Sequence, residues 1–536
     1  MKKLKLVCVA IAMAGAAPTF AGGLLTNTNQ HVAFNRMMSR EASIGIDGVY
    51  YNPAGVVFMG EGHHLAINWQ LAYQTRTINN DYKLFTNNVN NPITPRDFKG
   101  KAFAPVIPSF QYAYNKGKWS FQANFSLTGG GGKCTFDDGL GSFEKIVSET
   151  AIAACGLAGV VDQTLGNKLG QQGMEMFTSD LAFGKTGKYS FNSYMHGRQY
   201  YYGLSAGAAY KFCDNFSSFL GVRGVYALTN YYGYVENINV GNMPLYKVLD
   251  PTKENAANIE LSCDQTGVGF TPIIGVDYKT GRWNFSAKYE FKTRIRLKNK
   301  SVNQTPSIGN LPANLANQMT GILTARYQQA GLPLEQAKQQ AENTTNAVLN
   351  DPTVGATMMG LKTQFDQKLN KAIGEYEDGK KIAGDIPGYL ALGIGYSPVD
   401  AVRVNVGFHW FDDKNATSYN NRNKELKRGT LEYNAGVEVD VNKKITLSTG
   451  WQNTNYGLSD EYMDDKSFVV SSNSAAIGGV YHINKKMDLN VAYFHTFYQH
   501  KKTSETVQLA ADKSIVYNSD YTRNNNVFAV GLDINF

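Results

Sequence analysis

The last residues of the chain alternate. Phe528, Val530, Leu532, Ile534 and Phe536 fall on every second position, and the residues between them are small or polar. A period of two places one set on one face of a strand and the other set opposite. The pattern recurs over residues 64–77, 101–115, 118–130, 198–213, 216–236, 265–279, 282–298, 386–397, 401–414, 430–441, 444–455, 473–483, 486–502 and 522–536. Past the N-terminus no stretch approaches 18 uninterrupted apolar residues, so no helix is expected to span a bilayer. Lipid admits only helices and closed barrels as spanning structures. Fourteen alternating segments, an even number, therefore predict a 14-stranded antiparallel transmembrane β-barrel, an all-β fold.

The connections support this expectation. They alternate long and short along the chain. The short ones carry turn chemistry, as in Asn115-Lys116-Gly117-Lys118, Cys213-Asp214-Asn215, Lys279-Thr280-Gly281-Arg282 and Ser397-Pro398-Val399-Asp400. The long ones are residues 78–100, 131–197, 237–264, 299–385, 415–429, 456–472 and 503–521. Short turns on one side and long loops on the other are the asymmetry of outer-membrane barrels. Both chain ends are then expected on the periplasmic side. Residues 142–175 and 311–377 are poor in strand formers and rich in helix formers, which predicts a partly helical crown in the outer loops.

Each strand sorts by face. A charge facing lipid near the midplane costs about 2–4 kcal/mol, so charged sets point inward. In 282–298, Trp283, Phe285, Ala287, Tyr289 and Phe291 face lipid, with Asn284, Ser286, Lys288, Glu290, Lys292 and Arg294 inward. In 401–414, Val402, Val404, Val406, Phe408 and Trp410 face lipid, with Arg403, Asn405, Gly407 and His409 inward. A mean hydropathy of −0.32 beside 32 Tyr, 28 Phe and 53 Gly agrees, because only alternate residues meet lipid.

The N-terminus sets the compartment. Lys2, Lys3 and Lys5 precede an apolar run from Leu6 to Ala17, and Thr19-Phe20-Ala21 reads as a cleavage site. Residues 1–21 are a secretory signal peptide by this pattern. The net charge is +8, or +5 without those three lysines, and is unclustered, which gives no sign of nucleic-acid binding. Cys134 and Cys155 share one long loop, where a disulfide is open to them, whereas Cys213 and Cys263 sit at opposite strand ends. No Cys/His spacing suggests a metal, and no nucleophile motif accompanies the histidines. No enzyme activity and no cofactor are expected.

Residues 22–62 do not alternate. About forty residues lie between the signal and the first strand of the barrel, 63–536, enough to fold into the lumen as a plug; a disordered extension is the other reading. Within them run Arg36, Glu41, Ala42, Asp47, Asn52, Pro53 and Ala54. In that order, after a signal peptide and before fourteen strands, this pattern resembles the N-terminal hatch of the FadL/TodX family of outer-membrane transporters for hydrophobic compounds. Tyr202-Gly203-Leu204-Ser205-Ala206-Gly207-Ala208-Ala209-Tyr210 is similar to family strands too.

The resemblance implies a monomeric barrel in the outer membrane, among its lipid and lipopolysaccharide, blocked by the hatch. It implies uptake of hydrophobic small molecules, long-chain fatty acid-like or otherwise apolar, through a groove among the outer loops and a pocket in the lumen. Asn52, Pro53 and Ala54 would gate, and Arg36, Glu41 and Asp47 would hold the hatch. Leu24, Leu25, Val32, Phe34, Met37 and Met38 would line a pocket or pack the hatch against the wall. Ligand would leave sideways at a kink in the third strand. Here that strand runs into Gly129, Gly130, Gly131 and Gly132, a hinge or a flexible start of the loop. Arg223, Lys288 and Arg403 could meet a ligand carboxylate or pair with lumen acids. The family's basic position for a carboxylate falls near Leu228, which is not basic. Some barrels of this kind carry surface proteins instead, and the loop 299–385 would suit either role.

Overall fold

The structure is a computed structural model and describes residues 23–26, 29–171, 173–306, 308–510 and 513–536. The expected signal peptide lies outside the described residues. Fourteen antiparallel strands close on themselves. The first six are Gly62–Tyr82, Arg96–Lys116, Trp119–Phe136, Tyr189–Cys213, Phe216–Val240 and Ile259–Thr280. The seventh is in two pieces, Trp283–Glu290 and Arg296–Gln304, as is the eighth, Lys381–Ala383 and Tyr389–Val399. Then come Val402–Phe411, Arg428–Asn442, Ile445–Gly457, Ser472–Asn484 and a thirteenth in two pieces, Met487–Tyr498 and Lys501–Ala510. The fourteenth, Lys513–Asn535, pairs with the first from His64↔Asn535 to Tyr82↔Tyr517. The ladder has no open edge there, and His63 and Phe536 exchange a further pair of backbone hydrogen bonds at its end.

The alternation is the barrel's two faces. In the sixth strand Val268 and Phe270 are exposed on the outer wall, while Gln265, Thr271 and Asp277 are buried inside. Trp69, Phe121, Leu220, Leu447, Ile477 and Phe528 extend the same apolar belt around the barrel. Such a belt on a closed ladder spans a membrane.

The strands reach further toward the crown than alternation foretold. The third runs on to Phe136 and the fourth begins at Tyr189. The expected loops 131–197 and 299–385 shrink accordingly, and the expected loop 503–521 is a hairpin, Lys501↔Tyr521 to Ala510↔Lys513. Beyond the lipid both faces of a strand meet water or protein, so nothing forces apolar residues onto alternate positions. Lys292 and Arg294 do not follow the expected inward set. The seventh strand breaks after Glu290, and beyond the break Thr293, Ile295 and Leu297 are the buried set. One residue of slip exchanges the faces. The described cysteines are all free: Cys134 lies in the third strand and Cys155 in a crown helix, so the disulfide open to them is not formed.

The crown holds the helices Gly141–Leu169, Tyr246–Leu249, Leu311–Gln329, Leu334–Leu349 and Pro352–Ile373. Gly141–Leu169 is apolar enough to cross a membrane by composition, yet it is mostly buried. Its Val147, Leu157, Val161 and Leu165 share a core with Phe177, Leu249, Leu315 and Met319. Asp162, buried in that helix, accepts hydrogen bonds from the backbone of Met176, Phe177 and Thr178 and from the Thr178 hydroxyl. It therefore pins the segment after the helix. Asp162→Ala leaves those donors buried and unpaired, which should cost the crown about 2–4 kcal/mol. Hydrogen exchange should show lost protection over 141–184 with the barrel strands unchanged.

Candidate functional site

The hatch fills the lumen at the short-turn end. It folds as the helices Val32–Met37 and Gly48–Tyr51 and the 3₁₀ turn Gly55–Phe58. These are too short to stand alone and take their stability from packing. The His31 ring caps the first helix by accepting from the Ala33 amide, while its Nε2 lies 3.1 Å from Asp533 of the closing strand. The helix ends at Met38, whose φ of 60° turns the chain. Room for this turn comes from a glycine pair. Gly436 and Gly450 are directly opposed on the tenth and eleventh strands, and a Cβ on either would lie within about 2.1 Å of the Met37 carbonyl oxygen.

Charge fixes the hatch against the wall. Arg36 bonds Glu438, Asn490 and Ser448. Arg40 clamps Asp47 with two hydrogen bonds of 2.7 and 3.0 Å and reaches Glu438 at 3.1 Å. Glu41 meets His409 at 2.8 Å, and the other ring nitrogen lies 2.9 Å from Glu432. Buried pairs add little net stability, but removing one partner costs about 3–5 kcal/mol. They therefore fix where the hatch sits. Asn52 donates to Asp277 at 2.6 Å, and the carbonyls of Pro53 and Ala54 accept from Gln122 and Ser217.

The structure thus gathers Arg36, Glu41, Asp47, Asn52, Pro53 and Ala54 into one hatch–wall interface. Arg40, Glu438, Glu432 and Asp277 belong to it and were missed by sequence reasoning; inward position on alternating strands marks the last three. Arg223 forms a two-pronged pair with Glu290, Lys288 joins Glu290 and the Tyr50 carbonyl, and Arg403 pairs with Glu438 and Asp440. All three expected ligand cations are held by the protein's own acids.

The candidate pocket residues do not meet in one cavity. Phe34 stacks on Tyr51 at 5.3 Å within the hatch. Met38 packs on Ala476, Phe494 and Val527, and Val32 on Ala492 and Ala529. Met37 sits under the glycine pair, and Leu25 is buried near Tyr201 and Tyr231. Leu24 alone lines the lumen cavity above the hatch. That cavity, of about 210 Å³, is lined by more polar than apolar surface: Leu24, Leu127, Phe136, Met195, Phe468 and Val469 share it with Thr26, Asn29, Gln74, Arg76, Gln199, Lys466, Arg523 and Asn525. A second cavity of about 110 Å³ lies in the crown between Gly141–Leu169 and Leu311–Gln329, and Thr150 is the sole polar residue in its described lining.

Gly130 and Gly132 also line the lumen cavity. Two bulges fall here, between Leu127 and Gly129 and between Gly130 and Gly132. On the other side the third strand loses its ladder: no pair joins it to the second strand between Ala102↔Cys134 and Ser109↔Ser126. Pro105 and Pro108 lie in the unpaired stretch of the second strand, and the Trp69 indole donates to the Pro105 carbonyl at 2.9 Å. The glycine run is therefore bent strand, not the start of a loop. Above the cavity, in the loops outside the spanning strands, Glu375 is 2% exposed with both carboxylate oxygens lacking a hydrogen-bond partner. Burial pushes its carboxyl up to about 8, against the opposing pull of Lys466 and Arg422.

No family model matches this sequence, and no curated protein matches it. Solved structures match its fold. A Pseudomonas aeruginosa FadL homologue aligns at a TM-score of 0.58 and 13% identity, over 96% of this chain and 100% of its own. The TodX deltaS2S3 mutant monoaromatic hydrocarbon channel aligns at 0.50 and 13% identity, over 94% of this chain and 98% of its own. The P. putida toluene transporter TodX aligns at 0.48 and 13% identity, over 96% and 100%. At such identities the likeness is one of fold, and it rests on the first two.

Two outcomes follow. Gly450→Val should expel the Met37 turn, so that trypsin reaches Arg36 and Arg40 in a barrel that still resists heat in detergent. The neutral Glu375 carboxyl should stabilise its surroundings fully below about 4.5, with that contribution lost as pH rises through about 8. Hydrogen exchange over 374–380, corrected for its intrinsic pH dependence, should lose protection across that window, and Glu375→Gln should flatten the loss.

Proposed function

We propose that this chain is an outer-membrane conduit for hydrophobic small molecules. It has no catalytic role, and its ends face the periplasm. The observation that carries the reading is the lumen cavity, closed below by the hatch and bordered by a stretch of wall whose ladder is missing. A general pore would need an open lumen, and the hatch denies it. An apolar solute is poorly served by a water-filled channel. It is better served by a pocket of apolar surface with few polar groups, and the crown cavity, with Thr150 as the sole polar residue of its described lining, is of that kind. The solved structures on which the likeness rests are a FadL homologue and a monoaromatic hydrocarbon channel, which agrees with the reading.

In this mechanism solute first partitions into the crown cavity. Its lining from Val147 to Phe183 offers dispersion and burial with no directional bond to break on leaving. From there it passes into the lumen cavity over Phe468 and Leu24. The hatch stays anchored by its charge pairs, and local movement of the Asn52–Pro53–Ala54 turn or of Leu24 opens the way. Exit is sideways, between the second and third strands, into lipid.

The lateral step is testable. Replacing Gly129 to Gly132 by Thr-Val-Thr-Val favours a paired strand and adds bulk against Leu24. Cells relying on this protein should then take up labelled dodecane at the background rate, with the barrel still present and heat-resistant. Undiminished uptake through a folded variant would falsify the lateral exit.

A further inference from the structure

The outer wall carries charge that neither the lumen nor the hatch uses. Beyond the break after Glu290, the slip in the seventh strand buries Thr293, Ile295 and Leu297. It therefore turns Arg294, Arg296, Lys298 and Lys300 outward, and all four are exposed. They begin where the apolar belt ends. Phe291 is the last exposed aromatic of this strand, and Val268 and Phe270 end the belt on the neighbouring sixth strand. The ladder carries the row sideways. Lys300 stands opposite Asp264, Asp264 opposite Asn230, Asn230 opposite Arg198 and Arg198 opposite Lys133, so one line crosses five strands.

These cations are not spent on the protein's own acids. Arg296 pairs with Asp385 at 2.9 Å. Among the described residues, Lys133, Arg198, Arg294, Lys298 and Lys300 have no carboxylate within ion-pair distance, and Arg198 Nε is buried without a hydrogen-bond partner. The acid within the line, Asp264, accepts from the Asn230 amide at 2.8 Å. Further from the belt comes an aromatic surface. Tyr232 stands opposite His196 and Tyr234 opposite Tyr194, with His196 5.6 Å from Tyr232 and 5.7 Å from Tyr194 between ring centroids. His196 Nε2 lies 3.0 Å from Asn230, which ties the rings to the line of cations. The far side of the barrel has nothing similar. Tyr433, Asn453, Asn473, Phe497 and Asn524 follow one another through the ladder there, all neutral.

Unpaired cations at the edge of hydrocarbon attract anionic head groups, and arginine and lysine bind phosphate by charge-assisted hydrogen bonds. We infer that this face of the outer wall docks a phosphorylated glycolipid of the outer leaflet. Its acyl chains lie on the belt at Val268 and Phe270, its phosphate on the line from Lys133 to Lys300, and its sugar on the rings of Tyr194, His196 and Tyr232. The order of the three layers outward along the wall is the order of the three parts of such a lipid. A plain anionic phospholipid would use two of the layers and leave the rings bare. The site requires nothing to pass through the lumen.

The test binds diphosphoryl lipid A and phosphatidylglycerol to the full-length barrel in nonionic detergent, without divalent cations. One variant combines Arg198→Gln, Lys298→Gln and Lys300→Gln. A control removes the same charge from exposed crown positions, as Lys185→Gln, Lys338→Gln and Lys362→Gln. A third combines Tyr194→Leu and Tyr232→Leu. Wild type should hold lipid A about tenfold or more tighter than phosphatidylglycerol, and added salt should weaken it. The wall variant should lose about 10–100-fold in lipid A affinity, the loss expected for charge-assisted hydrogen bonds, and the crown control should match wild type. The tyrosine variant should bind lipid A about tenfold more weakly and phosphatidylglycerol as before. All three should keep a heat-resistant barrel, since the altered side chains lie on its surface. Equal affinity for the two lipids, salt-independent binding of lipid A, or a wall variant no weaker than the crown control would each overturn the site. A tyrosine variant that binds lipid A as wild type does would overturn the assignment to a glycolipid. The salt and lipid comparisons on wild type decide the matter even if a variant fails to fold. None of these outcomes bears on dodecane uptake, so the conduit reading stands or falls separately.

Discussion

The rest of the structure depends on one requirement: within lipid every backbone amide and carbonyl must find a partner in the protein. The ladder between the first and fourteenth strands meets it at the seam, and the period-two alternation follows from the wall it makes. Closure has a second effect. Fourteen strands enclose more space than their own side chains fill. The hatch, the inward-reaching outer segments and the charge pairs between them are what occupy it.

How the hatch sits illustrates a division of labour. Its helices are too short to be stable alone, and its carbonyls at Pro53, Ala54 and Val56 are taken up by wall side chains. Burial of Phe34, Tyr50 and Tyr51 supplies attraction without direction. Direction comes from Arg36, Arg40 and Glu41 against Glu438 and His409. Small residues at Gly436 and Gly450 allow the backbone of the hatch to touch the backbone of the wall, an approach no larger side chain permits.

Much of this was legible in the sequence where lipid writes the rule. Strand number, the sorting of faces in 282–290 and 401–410, and the alternation of long and short connections all follow from the cost of misplacing a charge in hydrocarbon. Beyond the lipid that cost vanishes. The extensions of the third and fourth strands and the hairpin at 501–521 therefore carry no alternation to mark them as strands, and the slip after Glu290 leaves no trace in the sequence. The hatch residues from Arg36 to Ala54 stood out by resemblance, yet Arg40 did not, since nothing local distinguishes it from a surface arginine. Its partner on the wall, Glu438, arrives from nearly 400 residues away. Arg76 and Arg523 are equally silent in sequence, being separate polar positions near opposite ends of the chain until closure sets them side by side.

The prolines of the second strand bear on how a wall can have a weak place and still survive in hydrocarbon. An unpaired stretch would ordinarily leave a row of amide hydrogens facing lipid. Pro105 and Pro108 have none to leave, and the carbonyl of Pro105 is already taken by the Trp69 indole. Parting the second and third strands there would therefore sever few main-chain bonds. It would resemble the opening of a seam that was never sewn, resisted by side-chain packing and by the lateral pressure of the surrounding lipid. The thickness and fluidity of that lipid then become determinants of how readily the wall yields.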